Sequence, residues 1–272
     1  MDPAVAAAYV AGAARGAAMV GLAASATVAL AALAQLAIQS VTLNGVPSGV
    51  EPRAVAQILT GTVWGIAWVI KMAMALIAVA AYSLAAHARR HAWIVAGAAS
   101  VGIVLGLALS GHAMVVPRFV VPSVIAHLVH TVAAAGWLGT LLLVVAIGLP
   151  YAFRLNRDAR WAAIADIVHA FSPVALVFAG LAVVAGVFIA WTHIGTVSAL
   201  WTTEYGRVLL LKLGLLAGTA LIGAYNWLRV RPTLGDFEGT RRLRRTAVAE
   251  LVFAALVIGV TAVLVATPLP VS

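Results

Sequence analysis

The chain has 272 residues, of which 64% are hydrophobic and only 9% charged, with a formal net charge of +9 and a mean hydropathy of +1.09. So little charge cannot cover the surface of a water-soluble domain of this length. There is no cysteine, which excludes disulfides, thiolate ligands and CxxC metal relays.

Long apolar runs recur, each able to cross a hydrocarbon core that takes roughly 20 helical residues. In lipid every backbone polar group must be bonded internally, so these runs are helices. The ten-residue alternating pattern of a membrane β-barrel is missing. The fold class is therefore all-α, a polytopic membrane helix bundle forming one transmembrane domain over residues 1–272. Met1-Asp2-Pro3 carries no basic stretch, so no cleaved signal peptide is expected.

Seven spans are predicted, at about 13–38, 62–86, 92–112, 122–149, 170–192, 205–228 and 247–267. The loops between them alternate in charge. The second holds Arg89 and Arg90, the fourth Arg154, Arg157 and Arg160, and the sixth Arg229, Arg231, Arg241, Arg242, Arg244 and Arg245. The intervening loops hold only Arg53, Arg118 and, at a helix start, Arg207. Positive loops stay cytoplasmic, which puts the N-terminus inside and the C-terminus outside. The same distribution makes the positive charge an orientation signal; no nucleic-acid partner is expected, and membrane lipid is the surrounding partner.

The chain repeats itself. Leu59-Thr60-Gly61-Thr62-Val63-Trp64-Gly65 leads through four residues to Ile70-Lys71-Met72. Leu200-Trp201-Thr202-Thr203-Glu204-Tyr205-Gly206 leads through four residues to Leu211-Lys212-Leu213. The copies lie four helices apart and share one orientation, so the repeat is parallel, with halves at 13–112 and 170–267. Each copy buries a lysine, and burying an ammonium costs roughly 2.5–3.5 kcal/mol on an insertion scale. Lys71 and Lys212 each need a partner or must snorkel. A structural tie and a substrate-gating charge are the two readings. Glu250, beside Arg244 and Arg245, is expected to form an ion pair. Gly102 and Gly106, like Gly214 and Gly218, have the spacing that lets helices pack closely.

Four of the seven histidines fall at the outer ends of spans. His112 ends the third span in Ser110-Gly111-His112-Ala113-Met114. His127 and His130 open the fourth at i, i+3, on one helix face. Trp137 continues that stripe, among Ala133, Ala134, Ala135, Gly136 and Gly139. His193 ends the fifth span after Trp191. Four imidazoles at similar depth on three helices form a candidate metal site, since neutral imidazole binds Cu, Zn, Fe or Ni. Met114 adds a thioether, which favours Cu(I). The plainer reading is that each histidine bonds water or a carbonyl at an interface. His87, His91 and His169 map to the inner side and read as solvated helix ends. No P-loop, GxSxG elbow or HExxH helix is present, so no enzyme activity is expected and transport by this chain is passive or coupled to a gradient or partner.

The stretch from Gly111-His112-Ala113, through His127-xx-His130 and Trp137-Leu138-Gly139, to Thr202-Thr203-Glu204-Tyr205-Gly206-Arg207 and Leu210-Leu211-Lys212-Leu213 resembles the copper resistance D (CopD) family. So do Asn226-Trp227-Leu228-Arg229, Leu243-Arg244-Arg245 and the ending Ala266-Thr267-Pro268. The likeness is densest over about 105–272. It implies a bacterial inner-membrane protein that moves copper from periplasm to cytoplasm beside a periplasmic copper-binding partner of the CopC type. Family members commonly show eight spans, whereas seven are read here. The reading is copper uptake through an outer site of His112, His127, His130, His193 and Met114, copper being the bound or transported ion. Two alternatives stand beside it: a haem-binding electron-transfer protein, and a non-transporting membrane assembly subunit.

Overall fold

The computed structural model describes residues 3–44, 50–110, 120–230 and 237–270, the side chains of 43, 44, 157, 158 and 237 excepted. Among these residues there is no strand. In chain order the helices are α1 (Pro3–Asn44), α2 (Pro52–Gly61), α3 (Val63–Ala86), α4 (Ala92–Ser110), α5 (Val120–Leu143), α6 (Leu149–Ala152), α7 (Arg157–Ile194), α8 (Ala199–Thr202), α9 (Glu204–Tyr225) and α10 (Phe237–Ala266). Seven of these stretches are long and apolar enough to cross a membrane, as the composition requires. The all-α polytopic class is what the structure shows.

Several boundaries differ from the sequence expectation. α1 starts at Pro3 and α7 at Arg157, about three and about three and a half turns earlier than expected. Hydropathy marks only the lipid-facing stretch, while the helix itself starts where a cap allows. For α7 that cap is Asn156, whose side chain accepts a hydrogen bond from the Ala159 N–H at 3.0 Å. α10 begins at Phe237, so Arg241, Arg242, Arg244 and Arg245 lie on a helix and not in a loop. α2 was not expected; Pro52 sits in its first turn and it buries Ala54 and Ile58. Between α5 and α6, residues Val144–Gly148 form a π-helical turn in which the Leu149 N–H reaches the Val144 carbonyl. Pro150 follows directly and has no N–H to donate, which favours the wider turn.

The chain divides into two compact units, Val10–Leu128 and Met1–Tyr9 with Val129–Ser272. In the first, α3 and α4 pack through small residues. A Cβ at Gly106 would lie 2.8 Å from the Lys71 Cβ and 2.9 Å from the Ala67 carbonyl, and one at Gly102 would meet the Met74 side chain at 2.5 Å. Ala75, Ala78, Ala99 and Ile103 form the core between them. α1 is tied to α3 by the Trp68 indole N–H, which donates to the Ala32 carbonyl at 2.7 Å. Close backbone approach of this kind supplies van der Waals contact where lipid offers no hydrophobic driving force between helices.

In the second unit α5 and α7 run against each other. Gly136 faces the Phe178 ring and Gly186 faces His130. Gly218 of α9 faces Phe253 of α10. A core of Leu149, Ala152, Ala163, Ile164, Val168, Val230 and Leu243 closes the end of this unit opposite His193. The Tyr9 hydroxyl donates to the Gly148 carbonyl there at 3.3 Å.

Candidate functional site

The two copies of the sequence repeat fold into the same local turn. Thr62 and Thr203 are the N-caps of α3 and α9, both in extended backbone. The Thr62 hydroxyl accepts from the Gly65 N–H at 2.9 Å and the Thr203 hydroxyl from the Gly206 N–H at 3.0 Å. Each hydroxyl also donates back to a carbonyl four residues earlier, Ile58 at 2.7 Å and Ala199 at 2.6 Å. The glycine is required in both. A Cβ at Gly65 would stand 2.0 Å from the Ile58 carbonyl oxygen, and one at Gly206 2.0 Å from that of Ala199. The turn therefore fixes the start of α3 and α9 and with it the residues that follow.

On α9 the residue so fixed is Tyr205, which is buried with Leu209 and Leu264. Its hydroxyl lies 3.1 Å from His193 Nδ1, and the two rings meet edge to face. His193 is buried at the end of α7. His130, half-buried on α5, makes a hydrogen bond of 2.7 Å from Nδ1 to the Ala182 carbonyl of α7. A carbonyl only accepts, so Nδ1 carries the proton and Nε2 the lone pair. Gly186 makes room for this ring: a Cβ there would lie 3.0 Å from His130 Cε1. His127 bonds through Nδ1 to the Ser123 carbonyl one turn back on its own helix, at 2.9 Å, which sets the same tautomer. Orientation of an imidazole by a carbonyl on its far nitrogen is the arrangement found behind metal-ligating histidines.

The depths differ from the expectation of a common level. The His130 ring lies beside Gly186, seven residues and about 10 Å along α7 from His193. The physical reason is the length of α5, which starts at Val120 and so carries His130 about 15 Å from its N-terminal end. His112 and Met114 lie outside the described residues. Among the described residues no three His, Cys, Asp or Glu side chains stand close enough to hold one ion. His87 and His91 are exposed next to helix ends, as expected; His169 is exposed too but lies well inside α7, not at its end, because that helix starts at Arg157.

The buried charges have partners that the sequence did not name. The Lys71 ammonium bonds to Gln35 Oε1 of α1, and among the described residues it has no ion pair. Lys212 is half-buried and has neither a hydrogen bond nor an ion pair with the described residues. Glu250 is buried and accepts from Asn226 Nδ2 at 2.8 Å. The expected ion pair with Arg244 or Arg245 is not formed. Both arginines are exposed, because they leave the α10 helix on another side. The described salt bridges are those of Glu238 with Arg241 and Arg242, at 3.7 and 3.8 Å on the exposed surface, where such pairs contribute little. Tyr205, Gln35 and Asn226 are thus the residues given no role from the sequence; Tyr205 and Asn226 stood in quoted motifs, and Gln35 had no signal.

Residues 165–264 match the family model described as copper resistance protein D. That stretch takes in His193, Tyr205, Lys212, Asn226 and Glu250, and lies wholly after α5 with its His127 and His130. Copper transport protein CutJ of Bacillus subtilis (strain 168) is 27% identical over 247 residues, covering 89% of this chain and 43% of its own length. The chain therefore spans under half the length of this curated relative. No solved structure matches. The family match and this relative bear out the resemblance carried by the motifs.

Proposed function

We propose that this membrane chain of the copper resistance D family carries copper inward across the bacterial inner membrane, with its Arg-rich segment 229–245 cytoplasmic and its C-terminus periplasmic. The ion is taken at His193 and passed to His130, about 10 Å deeper along α7, with His127 one turn nearer the outer end of α5. The outer mouth is the end at which His193 stands; His112 and Met114, donors expected from the sequence, lie outside the described residues. A periplasmic copper-binding protein of the CopC type delivers the ion to that mouth.

The observation that carries this reading is the seating of His130: a glycine opposite the ring, a carbonyl on Nδ1, and a lone pair therefore on Nε2. Partial sites two turns apart also suit a cargo. Conduction requires binding strong enough to admit the ion and weak enough, over several sites, to let it go. The same spacing disfavours a haem, whose two axial imidazoles must face each other across one iron.

The test is the copper content of the purified chain after loading and washing. The parent retains copper; His130→Ala and His193→Ala each lose a part, and the double variant loses nearly all. Retention at the parent level in the double variant rules the reading out.

A further inference from the structure

At the other end of the second unit, about 30 Å along α9 from Tyr205, stands a second polar site that the copper path does not use. Its members are Glu250 of α10 and Asn226, which opens the π-helical turn Asn226–Val230. Glu250 is 5% exposed. It has one donor, the Asn226 amide N–H at 2.8 Å. Asn226 Oδ1 is itself sealed from solvent and has no hydrogen-bond partner among the described residues. Gly223, one turn earlier, faces the carboxyl: a Cβ there would stand 3.6 Å from Glu250 Oε1, an ordinary contact distance.

Among the described residues no cation balances this acid. On α9 the nearest ammonium is Lys212, about 20 Å away along the helix. Arg229 of the π-helical turn and Arg244 and Arg245 of α10 are exposed, as are Tyr225 of α9 and Asp166 and His169 of α7. The π-helical turn Val144–Gly148 carries no titratable group. A carboxylate as buried as that of Glu250 needs a cation or a full set of donors. It has one donor, and its neighbour has an acceptor oxygen in want of one. A single proton on the second carboxyl oxygen meets both needs: an acid and an amide form two complementary hydrogen bonds, whereas a carboxylate and an amide form one.

We infer that Glu250 and Asn226 form a proton-binding site near the inner surface, and that this site gives the chain a proton to exchange against the cation it carries. The exchange rests on the copper-transport reading above; the proton site does not. In the protonated state Glu250 donates through Oε2 to Asn226 Oδ1 and accepts from Nδ2. In the ionised state only the second bond remains and Asn226 Oδ1 is left sealed and unbonded, so the pair discharges when water or a cation reaches it.

The full chain in lipid vesicles tests both parts. Without copper, infrared difference spectra between acid and alkaline medium should show the carbonyl band of a protonated carboxyl. Glu250→Gln should remove that band. This variant should fold, because the Gln amide keeps a donor and an acceptor for Asn226. Asn226→Leu removes the donor to the carboxylate, so the band should persist to more alkaline medium. With Cu(I) added outside, a pH dye trapped in the vesicles should report proton movement linked to uptake, and Glu250→Gln should abolish it. A band absent from the parent, or unchanged in Glu250→Gln, overturns the proton site. A copper-linked pH change that survives in Glu250→Gln overturns the exchange. A parent that takes up no copper refutes the transport reading, while the infrared band still decides the proton site.

Discussion

Gly65 and Gly206, 141 residues apart in the chain, are pressed against the same obstacle, the carbonyl oxygen seven residues before each. Either Cβ would come within 2.0 Å of that oxygen. A threonine three residues before each glycine caps the helix that follows. The relation makes one device of two distant segments, and it sets where Lys71 and Tyr205 begin their turns into the bundle.

A methyl group at either position should therefore displace backbone. Gly65→Ala and Gly206→Ala are each expected to destabilise the chain by about 3 kcal/mol or more. Gly139→Ala should stay within about 0.5 kcal/mol, since nothing lies within 4 Å of that position. Thermal unfolding in detergent, followed by circular dichroism, checks the contrast. Equal melting of all three would mean that the repeated turn does not constrain the helices.

The seat of His130 can be filled without touching the histidine. Gly186→Val should push the ring off the Ala182 carbonyl and reduce copper retention several-fold at near-parent expression. Gly180→Val on the same helix meets open space and should retain copper as the parent does. If the two variants behave alike, the glycine opposite His130 has no part in binding.

Lys71 and Gln35 should respond unequally. Gln35→Leu leaves a buried ammonium without its amide and is expected to cost about 1–3 kcal/mol. Lys71→Met removes the charge and its burial cost together and should be near neutral for folding. Stability of the two singles and the double variant checks this. A Lys71→Met loss larger than that of Gln35→Leu would contradict it.

Copper retention should fall as the medium becomes acid. A ligating imidazole must be neutral, and ordinary histidine takes up its proton at a pKa of about 6.5. Below that value the proton competes with the ion, so retention is present above it and lost as pH falls through it. Retention that does not change between neutral and acid medium would speak against imidazole ligands.

The fold was legible in the sequence because membrane helices announce themselves by composition: the positions of all seven spans follow from apolar runs. The ends were not, because caps such as Asn156 and helical arginines such as Arg241 lie beyond the apolar stretch. The Thr-Gly repeat was visible as letters, and its meaning as a turn needed coordinates. Partners across helices were the hardest part. Nothing in the sequence ties Lys71 to Gln35, Glu250 to Asn226 or His193 to Tyr205, since each pair depends on which faces of two helices meet. The expected Glu250 ion pair failed for the same reason: closeness along a helix was taken for closeness in space.

The most direct measurement is Cu(I) uptake into vesicles holding the purified chain with its outer face outward, comparing the parent with His130→Ala and His193→Ala. The account predicts uptake by the parent, near-complete loss in His130→Ala at unchanged protein content, and a marked fall in His193→Ala. Uptake by His130→Ala at the parent rate would contradict it.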